Sequence, residues 1–261
     1  MTNDLAAVAL TFALAISDDT VGPFTDLVVY SDSLSDPGNV FVARGVAEPL
    51  GVFYPDCQFT NGDTSATQLG VALAFGTTFA SGDAPAVDNG NRGPDFDVQR
   101  ALYQASNLDL GDNTLAVAAL DGYDLRVLSE QTLPTTLEGQ NAFQIFVGSL
   151  IQSMDTTMVL GVNDFIRTGL NDIVVFGPPD LSVIPSMVND AALNFSVAGI
   201  VDAFNETLKG AFTVFDAPES TANVTFFDAT TFQDCILAKS NAFGRTNTTQ
   251  ACLTETFFVW R

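Results

Sequence analysis

Short β-branched runs that stop at polar or Gly/Pro loops, spaced by stretches of helical periodicity, narrow the fold of this chain more than any other feature. Residues 26–30 (DLVVY) run into a polar loop containing Pro37 and Gly38. Residues 172–176 (DIVVF) meet Gly177-Pro178-Pro179 at once, and residues 224–228 (VTFFD) repeat the strand pattern later. Between them, Phe143, Phe146, Val147, Leu150, Ile151 and Met154 recur at helical spacing, as do Leu193, Val197, Val201, Phe204, Leu208 and Phe212. The first stripe predicts one buried helical face, then a strand at residues 156–160 (TTMVL) and a loop at Gly161-Val162-Asn163-Asp164. Buried strands alternating with helices predict an α/β fold, a three-layer α/β/α sandwich around a parallel sheet of about five strands. The chain has 261 residues, 47% of them apolar or aromatic, which suits a single domain from residue 24 to 261. The Gly-, Asp- and Asn-rich middle, residues 84–136, shows no clear period, and no repeat or linker interrupts the chain.

Composition removes several functions. There are 9 basic and 31 acidic residues, a formal charge of −22, yet only 15% of residues are charged. The imbalance is a scarcity of cations, with lysine only at Lys209 and Lys239. Such a surface repels a phosphate backbone, and no basic stretch offsets it, so nucleic acid is excluded as a main partner. Histidine is absent, which removes His-dependent catalysis, His metal ligation and the usual near-neutral pH switch. Cys57, Cys235 and Cys252 are too scattered for a zinc site. The acidic pairs Asp95/Asp97 and Asp109/Asp112 lack the ligand spacing of a calcium loop and read as solvated turns. Neither a metal nor a cofactor is expected.

No apolar run reaches the ~18–20 residues that span a bilayer, so no transmembrane segment is expected. Residues 5–16 (LAAVALTFALAI) suit a leader's apolar core, with Ala13-Leu14-Ala15 as a cleavage-site shape, although Met1-Thr2-Asn3-Asp4 carries no basic side chain. Residues 1–16 thus read as a secretory leader or a short buried helix. Glycosylation sequons begin at Asn194, Asn205, Asn223 and Asn247. Cys235 and Cys252 are near enough in sequence to close a modest disulfide loop, leaving Cys57 over; three unpaired thiols are the alternative. Leader, sequons and bridge point together to a secreted protein.

Loops at the carboxyl ends of parallel strands are where such folds place chemistry. Three candidates carry small or amide side chains: the loops after Tyr30, around Gly82 and at Asn163. Residues 27–41 read LVVYSDSLSDPGNVF. A serine at a sharp strand-to-helix turn can present its hydroxyl as a nucleophile while its own N–H helps hold an oxyanion. The G-x-S-x-G elbow of α/β-hydrolases is absent. The string instead resembles block I of the GDSL, or SGNH, hydrolase family, in which a strand runs into G-D-S-L-S-D-x-G-N. Asp32, Ser33, Leu34, Ser35, Asp36, Gly38 and Asn39 all match.

Further segments follow in that family's order. Phe59-Thr60-Asn61-Gly62 resembles its R-F-S-N-G segment, and residues 78–84 (TFASGDA) its T-N-F-A-x-G-G-A block. Gly161-Val162-Asn163-Asp164 resembles the G-x-N-D block, residues 174–181 (VVFGPPDL) a segment with P-D-L, and Ala203-Phe204-Asn205 an F-N helix. Residues 241–253 resemble a stretch with a late Ala-Cys-Leu. The resemblance covers residues 24–260 and implies a flavodoxin-like sandwich that hydrolyses small-molecule or lipid esters, nearest the lecithinase, phospholipase and lipolytic-esterase branch. It implies Ser33 as nucleophile and an oxyanion hole from the Ser33 and Gly82 N–H groups and the Asn163 side chain. Asp32, Asp36 and Asn39 would support the nucleophile loop.

The sequence departs from the family at two places. Ser31 stands where block I has its leading glycine, and a Cβ there is expected to strain the turn. The family's last block, F-W-D-x-x-H-P-T, supplies the triad's Asp and His, whereas residues 257–261 read FFVWR. Trp260 aligns with the tryptophan, Arg261 stands at the aspartate, and the block is read as truncated. An ordinary carboxylate is a poor acceptor for a serine proton. Two expectations result: an ester hydrolase impaired for want of its base, or a pseudoenzyme that binds lipid or glycan without turnover.

Overall fold

The computed structural model describes residues 24–44, 57–60, 62–72, 77–82, 84–85, 95–111, 113–119, 122–125, 134–185, 191–216 and 220–250. Among the described residues, five strands form one sheet: β1 (Asp26–Ser31), β2 (Thr77–Thr78), β3 (Thr114–Ala119), β4 (Asp172–Phe176) and β5 (Asn223–Phe227). Their order is β2-β1-β3-β4-β5, and every neighbouring pair is parallel. The helices are α1 (Asn39–Arg44), α2 (Ser65–Ala72), α3 (Phe96–Ser106), α4 (Leu137–Arg167), α5 (Ala191–Phe212) and α6 (Ala229–Ala238). The α/β sandwich expected from the sequence is therefore the fold.

Strand side chains alternate between two apolar layers, as parallel strands covered on both faces require. Val28, Tyr30, Ala116, Ala118, Ile173 and Val175 pack against α3, α4 and α5. Leu27, Val29, Leu115, Val117 and Val174 face the opposite way, toward Ala66 and Leu69 of α2. At the centre of the first layer, Tyr30 stacks on Phe165 at 4.3 Å and meets Phe96 and Tyr103 edge-on at 5.2 and 5.7 Å. The chain leaves β1 for β2 on one side and reaches β3 on the other. The carboxyl ends of β1 and β3 thus form the switch point where open α/β sheets bind ligands.

Several expectations change. Residues 156–160 are not a strand, and Gly161–Asp164 is not a loop: both lie inside α4, which runs unbroken for 31 residues. Thr136 caps its start through Gly139 N–H. Its stop is a Schellman turn, with Gly169 at φ +94°, Gly169 N–H on Ile166 O and Leu170 N–H on Phe165 O. The missing strand is β3, from the unassigned middle, buried at all six positions. The stripe from Phe143 to Met154 is helical but only its end faces the core: Met154 is buried, Leu150 and Ile151 pack partly against it, and Phe146 is 53% exposed. Among the described residues α4 is the one helix long and apolar enough to cross a membrane by length and composition. Its C-terminal half is nevertheless a core helix, burying Met154, Met158, Val162 and Phe165.

Candidate active site at the carboxyl edge of the sheet

The turn after β1 is built by its own side chains. Asp32, nearly buried, accepts Leu34 N–H on Oδ1 at 3.0 Å, while Ser35 N–H bonds Asp32 O at 3.2 Å. This tight Asx-type turn leaves Ser33 half-buried and Leu34 exposed. Asp36, fully buried, accepts Gly38 N–H at 2.7 Å and Asn39 N–H at 2.5 Å on Oδ1, and Val40 N–H at 3.2 Å on Oδ2. A carboxylate at the N-terminus of α1 takes up donors that would otherwise be orphaned. Gly38, at φ +109°, makes the bend that a side chain would resist.

The same carboxylate reaches the second motif. Asp36 Oδ2 accepts Gly82 N–H at 2.6 Å, and Asn39 Nδ2 donates to Thr78 O at 3.0 Å and Ala80 O at 2.8 Å. Two segments about forty residues apart are thereby locked side by side. Gly82 has no room for more: a Cβ would stand 2.1 Å from the Phe59 ring. Asp32, Asp36 and Asn39 thus hold the turn between β1 and α1, and Asp36 and Asn39 tie it to residues 78–82. The Gly82 N–H, expected at an oxyanion, is engaged with Asp36.

Ser31 is an ordinary strand residue opposite Ala119, so the expected strain does not arise. Its backbone is held by a residue the sequence reading missed. Gln99 of α3, fully buried, accepts Ser31 N–H at 3.0 Å and donates to Ser31 O at 2.8 Å. The available signal was a glutamine on the helical face of Phe96 and Tyr103. Ser31 Oγ and Ser81 Oγ are buried here without hydrogen-bond partners.

Asn163 does not join this edge. Gly161 packs under Phe96, where a Cβ would lie 2.5 Å from the ring, and Val162 is core. Asp164 accepts from Arg100 Nε at 2.5 Å, and Phe165 stacks on Tyr30. Asn163 is half-buried in the helix, on the amino-edge side of Gly161. Each residue of the G-x-N-D match around it has a packing or pairing role. At the switch point, residues 122–125 follow β3, with Asp124 and Leu125 buried.

Asn205 is no glycosylation acceptor: it is nearly buried, and its amide donates to Pro178 O at 3.1 Å and Thr230 Oγ1 at 3.2 Å. Asn223 and Asn247 are exposed, and Asn194 lies on α5. Cys57 and the exposed Cys235 carry free thiols, and the expected Cys235–Cys252 bridge falls on Cys252, which lies outside the described residues, as do residues 1–16, Trp260 and Arg261. Asp95 caps α3 and Asp97 pairs with Arg100, so this acidic pair has structural partners. Among the described residues no three His, Cys, Asp or Glu side chains cluster as metal ligands. One carboxylate stands apart: Asp155 of α4 is 7% exposed, neither oxygen has a partner, and burial pushes its pKa up to about 6. No protein-family model and no curated protein matches this chain.

Proposed function

We propose that this chain is a GDSL-type serine ester hydrolase by construction, with Ser33 as the nucleophile. The observation that carries the reading is the Asp36 carboxylate, which joins the turn bearing Ser33 to Gly82 at the sheet's switch point. Ser33 Oγ attacks the acyl carbon, the carbonyl electron pair moves to oxygen, and the alcohol leaves as an acyl-serine forms. Water then releases the acid. The Ser33 N–H is the oxyanion donor this reading keeps. Asn163 is dropped from it, and Gly82 acts by fixing the loop. The serine proton needs an acceptor, and the sequence offers no histidine. Turnover should therefore run at least ~10³-fold below that of a complete triad.

Hydrolysis of p-nitrophenyl butyrate with and without added imidazole tests this. Slow turnover that imidazole accelerates, with the acceleration lost in Ser33→Ala, is expected. Equal rates in the two proteins, after subtraction of the imidazole blank, would overturn it. A second reading, ligand binding without turnover, draws on the same absence of histidine and on the engaged Gly82 N–H.

A further inference from the structure

The N-terminal half of α4 overhangs the edge that carries the candidate site. Three contacts fix the helix's direction. Thr168 bonds Tyr103 near the end of α3, Gly161 lies beside Phe96 and Tyr30, and no described residue of α4 before Leu150 packs against the core. Because Tyr30 precedes Ser31 at the carboxyl end of β1, the 13 residues 137–149 project beyond that end. At 1.5 Å per residue the overhang is about 20 Å long.

Its chemistry is unusual for this chain. The 16 residues 139–154 hold no charged side chain, although the whole sequence carries −22. Leu137, Ile145 and Phe146 are 75%, 73% and 53% exposed, while Phe143 and Val147 are partly buried. An overhang apolar on several sides is suited to immersion rather than to lying in one protein groove. Leu34 beside Ser33, with Phe41 and Val42 on α1, adds exposed apolar surface on the segment that leaves the same edge.

We propose that this end of the molecule docks on an uncharged lipid surface, with the α4 overhang entering the headgroup and upper acyl region. Charge selects the occupant. An anionic bilayer or a second copy of an acidic chain meets long-range repulsion, whereas a zwitterionic surface does not. The charge-free stretch is shorter than the ~30 Å hydrocarbon core but longer than one leaflet's half of it, so it enters without spanning. The docking rests on the helix alone. That the lipid is also the ester substrate rests on the preceding reading.

The test is flotation of the full chain with phosphatidylcholine vesicles, beside phosphatidylglycerol vesicles at low salt. Binding to phosphatidylcholine is expected, weaker binding to phosphatidylglycerol, and at least a ~10-fold loss in I145D/F146D with unchanged circular dichroism. Val214→Asp, at an equally exposed apolar residue in the turn leading to the amino end of β5, should float like the parent. Ser33→Ala should also float normally, which separates docking from the hydrolase reading. No flotation, an equal loss in Val214→Asp, or a dimer dissolved by I145D/F146D in place of vesicle binding would overturn the proposal.

Discussion

The turn after β1 and the middle of α4 both carry strings that look like hydrolase motifs, and the structure treats them oppositely. In the turn, the polar side chains bind backbone: Asp36 alone accepts four N–H groups, and Asn39 donates to two carbonyls. In α4, the backbone is satisfied by the helix, so the side chains are free to pack or pair, and they do so with Phe96, Arg100 and Tyr30. The difference teaches that a short motif carries site geometry only where its side chains must replace missing secondary-structure hydrogen bonds.

Substitutions can break that contrast. Asp36→Ala should have the largest effect, since it strands buried donors of α1 and Gly82 together. A loss of about 3–5 kcal/mol in urea unfolding is expected, given ~1–3 kcal/mol for each buried group left unsatisfied and incomplete additivity. A loss below ~1 kcal/mol would mean that the four bonds do not hold the loop. Gly82→Ala comes next. Its Cβ meets the Phe59 ring at 2.1 Å, so overpacking should cost about 1–3 kcal/mol, and Phe59→Ala in the same chain should recover part of it. Recovery would show that the clash, not the backbone angle, is the cause.

Asp155 sharpens the contrast from the helix side, as a carboxylate with no backbone or side-chain donor. Burial raises its folded pKa to about 6, above the ordinary carboxylate range. The unfolded chain therefore ionises first, and the stability present below the unfolded pKa is lost as pH rises toward 6. Asp155→Asn should remove that loss, so that stability falls less between about pH 4 and pH 7 than in the parent, by about 1–3 kcal/mol. Identical pH dependence in the two proteins would place a donor on Asp155. The smallest effect belongs to Asn163→Ala, half-buried and without a role at the sheet edge. It should lower stability by less than ~1 kcal/mol and leave imidazole-assisted hydrolysis unchanged.

The same contrast explains what could be read in the sequence. β1, β4 and β5 were legible because β-branched runs there end at Gly, Pro or Asp. β3 was not, because Thr114–Ala119 is half alanine, and its burial comes from both faces rather than from a periodic pattern. Residues 156–160 misled because Thr and Val favour strands, a preference that context overrides. A helix already begun at Thr136 continues until something stops it, and that stop is Gly169 rather than Gly161. Asp32, Asp36 and Asn39 were singled out by motif spacing, and each binds backbone at the turn. Gln99 and the burial of Asn205 were not, since both depend on partners far away in sequence, Ser31 in one case and Pro178 with Thr230 in the other.

The central claim is that Ser33, at the turn held by Asp36, is the reactive hydroxyl. Treating the full chain with a fluorophosphonate in the presence of imidazole, followed by peptide mass spectrometry, tests it most directly. The account predicts a single slow adduct on Ser33, formed at the same rate in Asn163→Ala and absent in Ser33→Ala. An adduct on another residue, or none on Ser33 after labelling that modifies a serine hydrolase control, would contradict it.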